Sequence, residues 1–210
     1  NSPTSWYKRN PSPDELQNIK APVFYYIRQM RVAWDVIKTL YPDSYVCTGG
    51  IGYPSFLDVI LRNTDNPVDG SVTADYPLKG GAYFDVLSYH TYPMYGLAYW
   101  DNANGGSTKY RRHSDAMVDV HIKYKNDYDS LLRKKYGFND TLYPAKHFIV
   151  TETDCARETI GTDFGSINCA NNYIIKCFIV GAMNGIEETY KYGMGEGGDA
   201  NKSTASTMSK

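Results

Sequence analysis

The sequence lacks the features that mark several common classes of protein. It contains no apolar run that approaches the length of about 18 residues typical of a membrane-spanning helix, so no membrane span is predicted. Lys and Arg number 22 against 23 Asp and Glu, which leaves a net charge of −1 and no electrostatic reason to expect nucleic acid as a partner. No CxxC motif and no His/Cys spacing typical of a metal site is present, so neither a metal nor another cofactor is predicted.

Cysteine is scarce, with four in 210 residues. Cys155 and Cys169 could close a short loop as a disulfide, whereas Cys177 lies in an apolar stretch and is interpreted as a buried thiol. N-glycosylation sequons begin at Asn139 and Asn201. An even number of cysteines together with two sequons favours a secreted, extracellular protein.

Tyrosine, in contrast, is abundant, with 20 residues. Tyrosine rings present flat amphipathic faces that suit sugar rings and protein interfaces alike, so composition alone does not separate these two uses. The chain begins at Asn1 rather than at Met, and we therefore expect it to be a processed product or a fragment.

Helical and strand-like segments alternate along the chain. Helices are predicted from the spacing of apolar residues at 21–40, 55–62, 114–136 and 168–184. Strands are predicted from short apolar runs at 45–48, 84–89, 147–151 and 186–192. Strands that alternate with helices form parallel β/α units, and four such strands alone would leave open sheet edges. We therefore expect a missing N-terminal half, or another chain, to cover those edges.

Polar residues follow two of the predicted strands. His90 and Tyr92 come directly after the strand at 84–89, and Glu152 and Asp154 come directly after the strand at 147–151. Because β/α barrels carry their working residues at the C-terminal ends of strands, these positions are the candidates for a functional site. Asp154 is interpreted as a loop or capping residue. On the residues alone, Glu152 could also be a surface carboxylate, His90 a core histidine and Tyr92 a packing residue.

Three segments of the chain resemble clan A glycoside hydrolases. The run FDVLSYHTYP, which starts at Phe84, resembles the sixth strand of cellulase-like and xylosidase-like members, which ends in His-x-Tyr. The run HFIVTET, which starts at His147, resembles their seventh strand, where the nucleophilic glutamate lies. The helix-strand segment 23–48, which contains IKTLYPDSYVCTGG, resembles their fourth helix and fifth strand.

The resemblance extends to about residue 198 and implies an α/β fold of the (β/α)8 TIM-barrel type. The chain would cover about the end of strand four through strand eight. Residues 1–198 would then form the C-terminal half of the barrel, and residues 199–210 a flexible polar tail.

The chemistry that the resemblance implies is retaining hydrolysis of a β-linked glycan. One carboxylate attacks the anomeric carbon while a second carboxylic acid, about 5 Å away, protonates the leaving oxygen. Glu152 would be the nucleophile, and Tyr92 would orient it through a hydrogen bond. The residues expected to bind the carbohydrate are Asn1, His90, Tyr95, Trp100 and Tyr190. The aromatic loop that includes Tyr95 and Trp100 could equally form a protein interface.

The position of the second carboxylate departs from the family pattern. The family has an Asn-Glu-Pro run at the end of the fourth strand, whereas this chain has Asn1-Ser2-Pro3. A serine hydroxyl has no useful acidity near neutral pH, so Ser2 cannot replace an acid that loses and regains a proton in each cycle. Two hypotheses follow: a retaining glycosidase, favoured by Glu152, or a catalytically degenerate barrel with a carbohydrate-binding or structural role, favoured by Ser2.

Overall fold

The computed structural model describes residues 23–93, 97–102, 105–110, 114–160 and 163–192. The described residues form an α/β arrangement of four α-helices and seven strands. The helices are α1 (Val23–Leu40), α2 (Pro54–Arg62), α3 (Ser114–Ser130) and α4 (Ile167–Met183). The strands are β1 (Val86–Thr91), β2 (Ala98–Asp101), β3 (Ser107–Tyr110), β4 (His147–Thr153), β5 (Glu158–Ile160), β6 (Asp163–Ser166) and β7 (Glu188–Lys191).

The main sheet is parallel and contains three strands in the order β1-β4-β7. The segment predicted as a strand at 45–48 forms a single parallel bridge, in which Cys47 pairs with Val86. The N–H of Thr48 donates to the carbonyl oxygen of Val86 at 3.1 Å, and the N–H of Asp85 donates to the carbonyl oxygen of Val46 at 2.8 Å. Within the described residues these strands do not close into a barrel, so the (β/α)8 barrel stays a prediction.

The chain divides into two compact units, and each has its own core. The first contains residues 1–87 and 128–147. Its core is built by α1 and α2 around a 3-10 turn at Gly80–Tyr83, and the fully buried side chains there include Phe24, Ile27, Leu57, Ile60 and Leu61.

Two glycines permit the close packing of this turn. A Cβ atom on Gly80 would lie 2.6 Å from Cγ2 of Ile60, and one on Gly81 would lie 2.5 Å from the ring of Phe138. A Cβ on Gly80 would also lie 2.7 Å from the backbone carbonyl oxygen of Ile60, so this position requires glycine, whereas a Cβ on Gly81 would displace the ring of Phe138.

The second unit contains residues 88–127 and 148–210. Its core is formed by α3, α4 and the segment after β4, through Leu97, Ala116, Met117, Val118, Cys155, Cys169, Ala170, Tyr173 and Cys177. A row of buried, hydrogen-bonded polar side chains crosses this core. The hydroxyls of Thr153 and Tyr173 lie 2.5 Å apart, and the Tyr173 hydroxyl lies 3.4 Å from Nδ1 of His121.

The structure differs from the predicted elements in further places. β1 begins at Val86 and continues to Thr91, so His90 lies inside the strand. The predicted loop at 91–112 contains a hairpin of β2 and β3, whose turn includes Gly105 and Gly106, both with positive φ. The predicted helix at 114–136 ends as a π-helical turn at Leu131–Lys135. The fourth helix, predicted at 168–184, agrees with α4 to within one residue at each end.

Candidate active site

The candidate site lies at the C-terminal ends of β1, β4 and β7, in the second unit. β4 contains a bulge at this point: it advances three residues, from Val150 to Thr153, while β7 advances two, from Thr189 to Lys191. Val150 and Thr153 are both fully buried, although residues three apart point to opposite faces of a regular strand. The extra residue therefore sets the direction of Glu152, as bulges next to functional sites commonly do.

Glu152 is held through one of its two carboxylate oxygens. The hydroxyl of Tyr92 donates to Oε2 of Glu152 at 2.8 Å, and Nδ1 of His90 lies 3.3 Å from the same oxygen. Among the described residues, no hydrogen bond reaches Oε1. The side chains of His90 and Glu152 are 29% and 32% exposed, so a ligand can reach both. A carboxylate bound in this way has one fixed oxygen and one oxygen available for reaction.

Tyr92 is a donor that keeps its proton. Burial, the hydrogen bond to Glu152 and the negative charge of Glu152 raise the pKa of Tyr92 well above its ordinary value. The ring of Tyr192 meets the ring of Tyr92 edge-on, with centroids 6.2 Å apart and an interplanar angle of 74°. Tyr92 is thus fixed by an aromatic contact on the ring and by a charge-assisted hydrogen bond at the hydroxyl.

Asp154 and Lys191 form an ion pair beside this group, which the sequence did not predict. Nζ of Lys191 lies 2.8 Å from Oδ2 of Asp154, and the two side chains are only 15% and 16% exposed. Oδ1 of Asp154 accepts the N–H of Cys155 at 2.8 Å, so both carboxylate oxygens are engaged. The backbone N–H of Tyr192 donates to the carbonyl oxygen of Thr153 at 2.9 Å. These contacts join the ends of β4 and β7.

Several predicted site residues lie outside the described part of the chain. Asn1, Ser2, Tyr95 and Asn201 fall there, as do the tail at 199–210 and the side chain of Trp100. Tyr190 is described on β7, where it is half exposed and its hydroxyl donates to Glu188 of the same strand. The structure therefore brings together Glu152, Tyr92 and His90, and leaves the other carbohydrate-binding assignments as predictions.

The four cysteines are free thiols in the structure. Cys155 and Cys169 are both buried in the core of the second unit, and the disulfide between them stays a prediction. Burial raises the pKa of the Cys177 thiol to about 11, in agreement with its interpretation as a buried thiol.

The sequon that begins at Asn139 lies on the surface. Asn139 is exposed, and its Oδ1 accepts the N–H of Thr141 at 3.0 Å.

The described residues offer no group of three or more His, Cys, Asp or Glu side chains that could hold a metal ion. No helix in the described ranges is long and apolar enough to cross a membrane.

Comparison of the sequence with models of known protein families gave no match, and comparison with curated proteins gave none either.

Proposed function

We propose that this chain belongs to a retaining glycoside hydrolase that acts on a β-linked glycan, with Glu152 as the nucleophile. The observation that carries the proposal is the asymmetry of the Glu152 carboxylate. Oε2 is bound by Tyr92 and His90, whereas Oε1 has no hydrogen bond from the described residues. A retaining nucleophile needs this combination, because one oxygen must attack the anomeric carbon while the other is held in place.

The order of the chain segments supports a barrel as the scaffold for this site. The bridge at Cys47, β1, β4 and β7 follow one another in sequence, with helices between them, and β4 runs parallel to β7. Parallel strands with helical crossovers are the repeating unit of a (β/α)8 barrel, which places its chemistry at the C-terminal strand ends. In this proposal, further β/α units cover the open sheet edges.

The test is covalent trapping of the glycosyl-enzyme. The protein is incubated with a panel of dinitrophenyl 2-deoxy-2-fluoro-β-glycosides, and a peptide that contains Glu152 is expected to gain the mass of one fluorosugar. Glu152→Gln abolishes the label, because an amide oxygen is a poor nucleophile. Glu158→Gln, on the exposed part of β5, keeps it. Complete absence of label from a folded protein across the panel would count against the nucleophile.

A second candidate function is carbohydrate binding by a degenerate barrel, and the serine at position 2 favours it. Such a protein binds oligosaccharides, for example in a calorimetric titration, but forms no covalent intermediate and releases no sugar. Binding together with trapping at Glu152 would reject this candidate, and binding without trapping would support it.

A further inference from the structure

We propose that His90 is the general acid and base of this site and takes the role that a second carboxylate has in other retaining enzymes. The proposal rests on the proposed function, because it assumes that Glu152 attacks a sugar. It concerns a different atom, Nε2 of His90, and a different step, the transfer of a proton to the leaving oxygen.

The position of the imidazole suits this step. Nδ1 of His90 lies 3.3 Å from Oε2 of Glu152, so this edge of the ring faces the carboxylate. Nε2 is on the far edge, one ring width beyond that contact, and it has no hydrogen bond from the described residues. Retaining enzymes place their two catalytic groups about 5–5.5 Å apart, and one imidazole ring beyond the 3.3 Å contact spans a similar distance.

The other titratable groups that the structure describes at these strand ends are less suited to the task. Asp154 has both oxygens engaged, and Lys191 is its partner in an ion pair. The raised pKa of Tyr92 keeps its proton on the hydroxyl that binds Glu152. Histidine is the side chain that ordinarily changes charge between pH 5 and 8, and a general acid works best near the pH at which it operates.

The reaction cycle balances in atoms, protons and electron pairs with Glu152, His90 and one water molecule. In the first step Oε1 of Glu152 forms a bond to the anomeric carbon, the bond from that carbon to the leaving oxygen breaks with its electron pair, and the leaving oxygen takes the proton from Nε2 of His90. In the second step neutral Nε2 takes a proton from water, and the water oxygen bonds to the anomeric carbon. The bond to Oε1 then breaks and its electron pair returns to Glu152. His90 is again protonated, and the sugar is released with retained configuration.

The experiment compares two leaving groups in the full chain as it is encoded. Phenyl β-glycosides need a proton on the leaving oxygen, whereas dinitrophenyl β-glycosides do not. His90→Asn keeps an N–H donor for Glu152 but removes the transferable proton. We expect kcat/KM of this variant to fall at least about 100-fold on the phenyl substrate and less than about 10-fold on the dinitrophenyl substrate. Azide should accelerate the variant on the dinitrophenyl substrate and give the β-glycosyl azide.

Two controls separate this role from positioning. Tyr92→Phe removes only a hydrogen bond to Glu152, so it should lower kcat/KM by similar factors on both substrates. If His90→Asn also lowers both rates by similar factors, His90 is a positioning residue and the proposal fails. If neither rate changes, the proton comes from another group, and the proposal fails as well. Fluorosugar trapping of Glu152 in the same variant shows that the proposed function holds in either case.

The pH dependence of the unsubstituted protein gives a test that does not depend on the folding of a variant. The acid must be protonated before the first step, so kcat/KM on the phenyl substrate should fall as the pH rises. The dinitrophenyl substrate should not show this decrease. The same decrease on both substrates, or on neither, would overturn the assignment.

Discussion

The hydroxyl of Tyr92 lies 2.8 Å from Oε2 of Glu152, although 60 residues of chain separate the two positions. One residue follows β1 and the other lies near the end of β4, so the contact depends on the alignment of neighbouring strands. Burial is the main cause of the raised pKa of Tyr92, and the Glu152 carboxylate that accepts the hydrogen bond adds to it by stabilising the protonated phenol.

Tyr92→Phe tests the contribution of this hydrogen bond to catalysis. The phenyl ring keeps the packing but leaves Oε2 with the His90 contact alone, so Glu152 loses orientation. A hydrogen bond to a charged group contributes about 1.5–3 kcal/mol, which corresponds to a loss of about 10- to 150-fold in kcat/KM. Steady-state kinetics on an aryl β-glycoside measure it. Tyr41→Phe, on an exposed tyrosine of the first unit, is the matched control and should leave the rate unchanged.

Tyr173→Phe tests the row of buried, hydrogen-bonded polar side chains in the core of the second unit. Tyr173 is fully buried, and its hydroxyl is paired with that of Thr153 at 2.5 Å. Removal of one partner leaves the Thr153 hydroxyl buried and unpaired, which costs about 1–3 kcal/mol of unfolding free energy. Urea denaturation measures the loss, and Tyr190→Phe on the exposed part of β7 should cost much less. Equal effects of the two variants would contradict the assigned hydrogen bond.

His121 predicts a dependence of stability on pH. Burial lowers the pKa of His121 from its ordinary 6.5 to about 4. Between these values the unfolded chain binds a proton that the folded chain does not, so stability is full above pH 6.5 and is lost as the pH falls towards 4. The loss approaches about 3 kcal/mol. Urea denaturation at pH 7 and pH 4.5 should show a smaller difference for His121→Gln than for the unsubstituted protein. An unchanged difference would contradict the burial of a neutral imidazole.

The ion pair between Asp154 and Lys191 should be energetically coupled. Because both side chains are largely buried, Lys191→Met leaves a carboxylate without its partner and should cost about 1–3 kcal/mol. Asp154→Asn in the same chain should recover part of this cost. The pair of Lys176 with Asp115 is 40% and 68% exposed, and its coupling in the same double-mutant cycle should be about 0–0.5 kcal/mol. Similar coupling energies in the two cycles would show that burial does not strengthen the first pair.

The alternation of helices and strands could be predicted because it depends on apolar spacing, which is a local property of the sequence. The helix predicted at 55–62 is α2 at Pro54–Arg62, and the strand predicted at 147–151 is β4 at His147–Thr153. The location of Tyr92 and Glu152 at one edge of the sheet could also be anticipated, because parallel strands place their C-terminal ends there. The hydrogen bond between them was expected only from the resemblance to clan A glycoside hydrolases.

Other features had no local signal. Lys191 and Asp154 are 37 residues apart, and neither position is unusual for a charged residue at the end of a strand. The hairpin of β5 and β6 uses strands of three and four residues, which are too short to display alternation. The bulge in β4 results from pairing with β7, so its cause lies in another segment.

The bulge shifts the alternation of side-chain directions along β4 between Val150 and Thr153. Substitutions at position 152 change which chemical group stands there, but they do not change the direction in which it points. An insertion or deletion of a single codon within the bulge changes that direction while every residue type is kept. Mutations that change the length of β4 therefore alter the geometry of this site. Mutations that replace a side chain alter only its chemical composition.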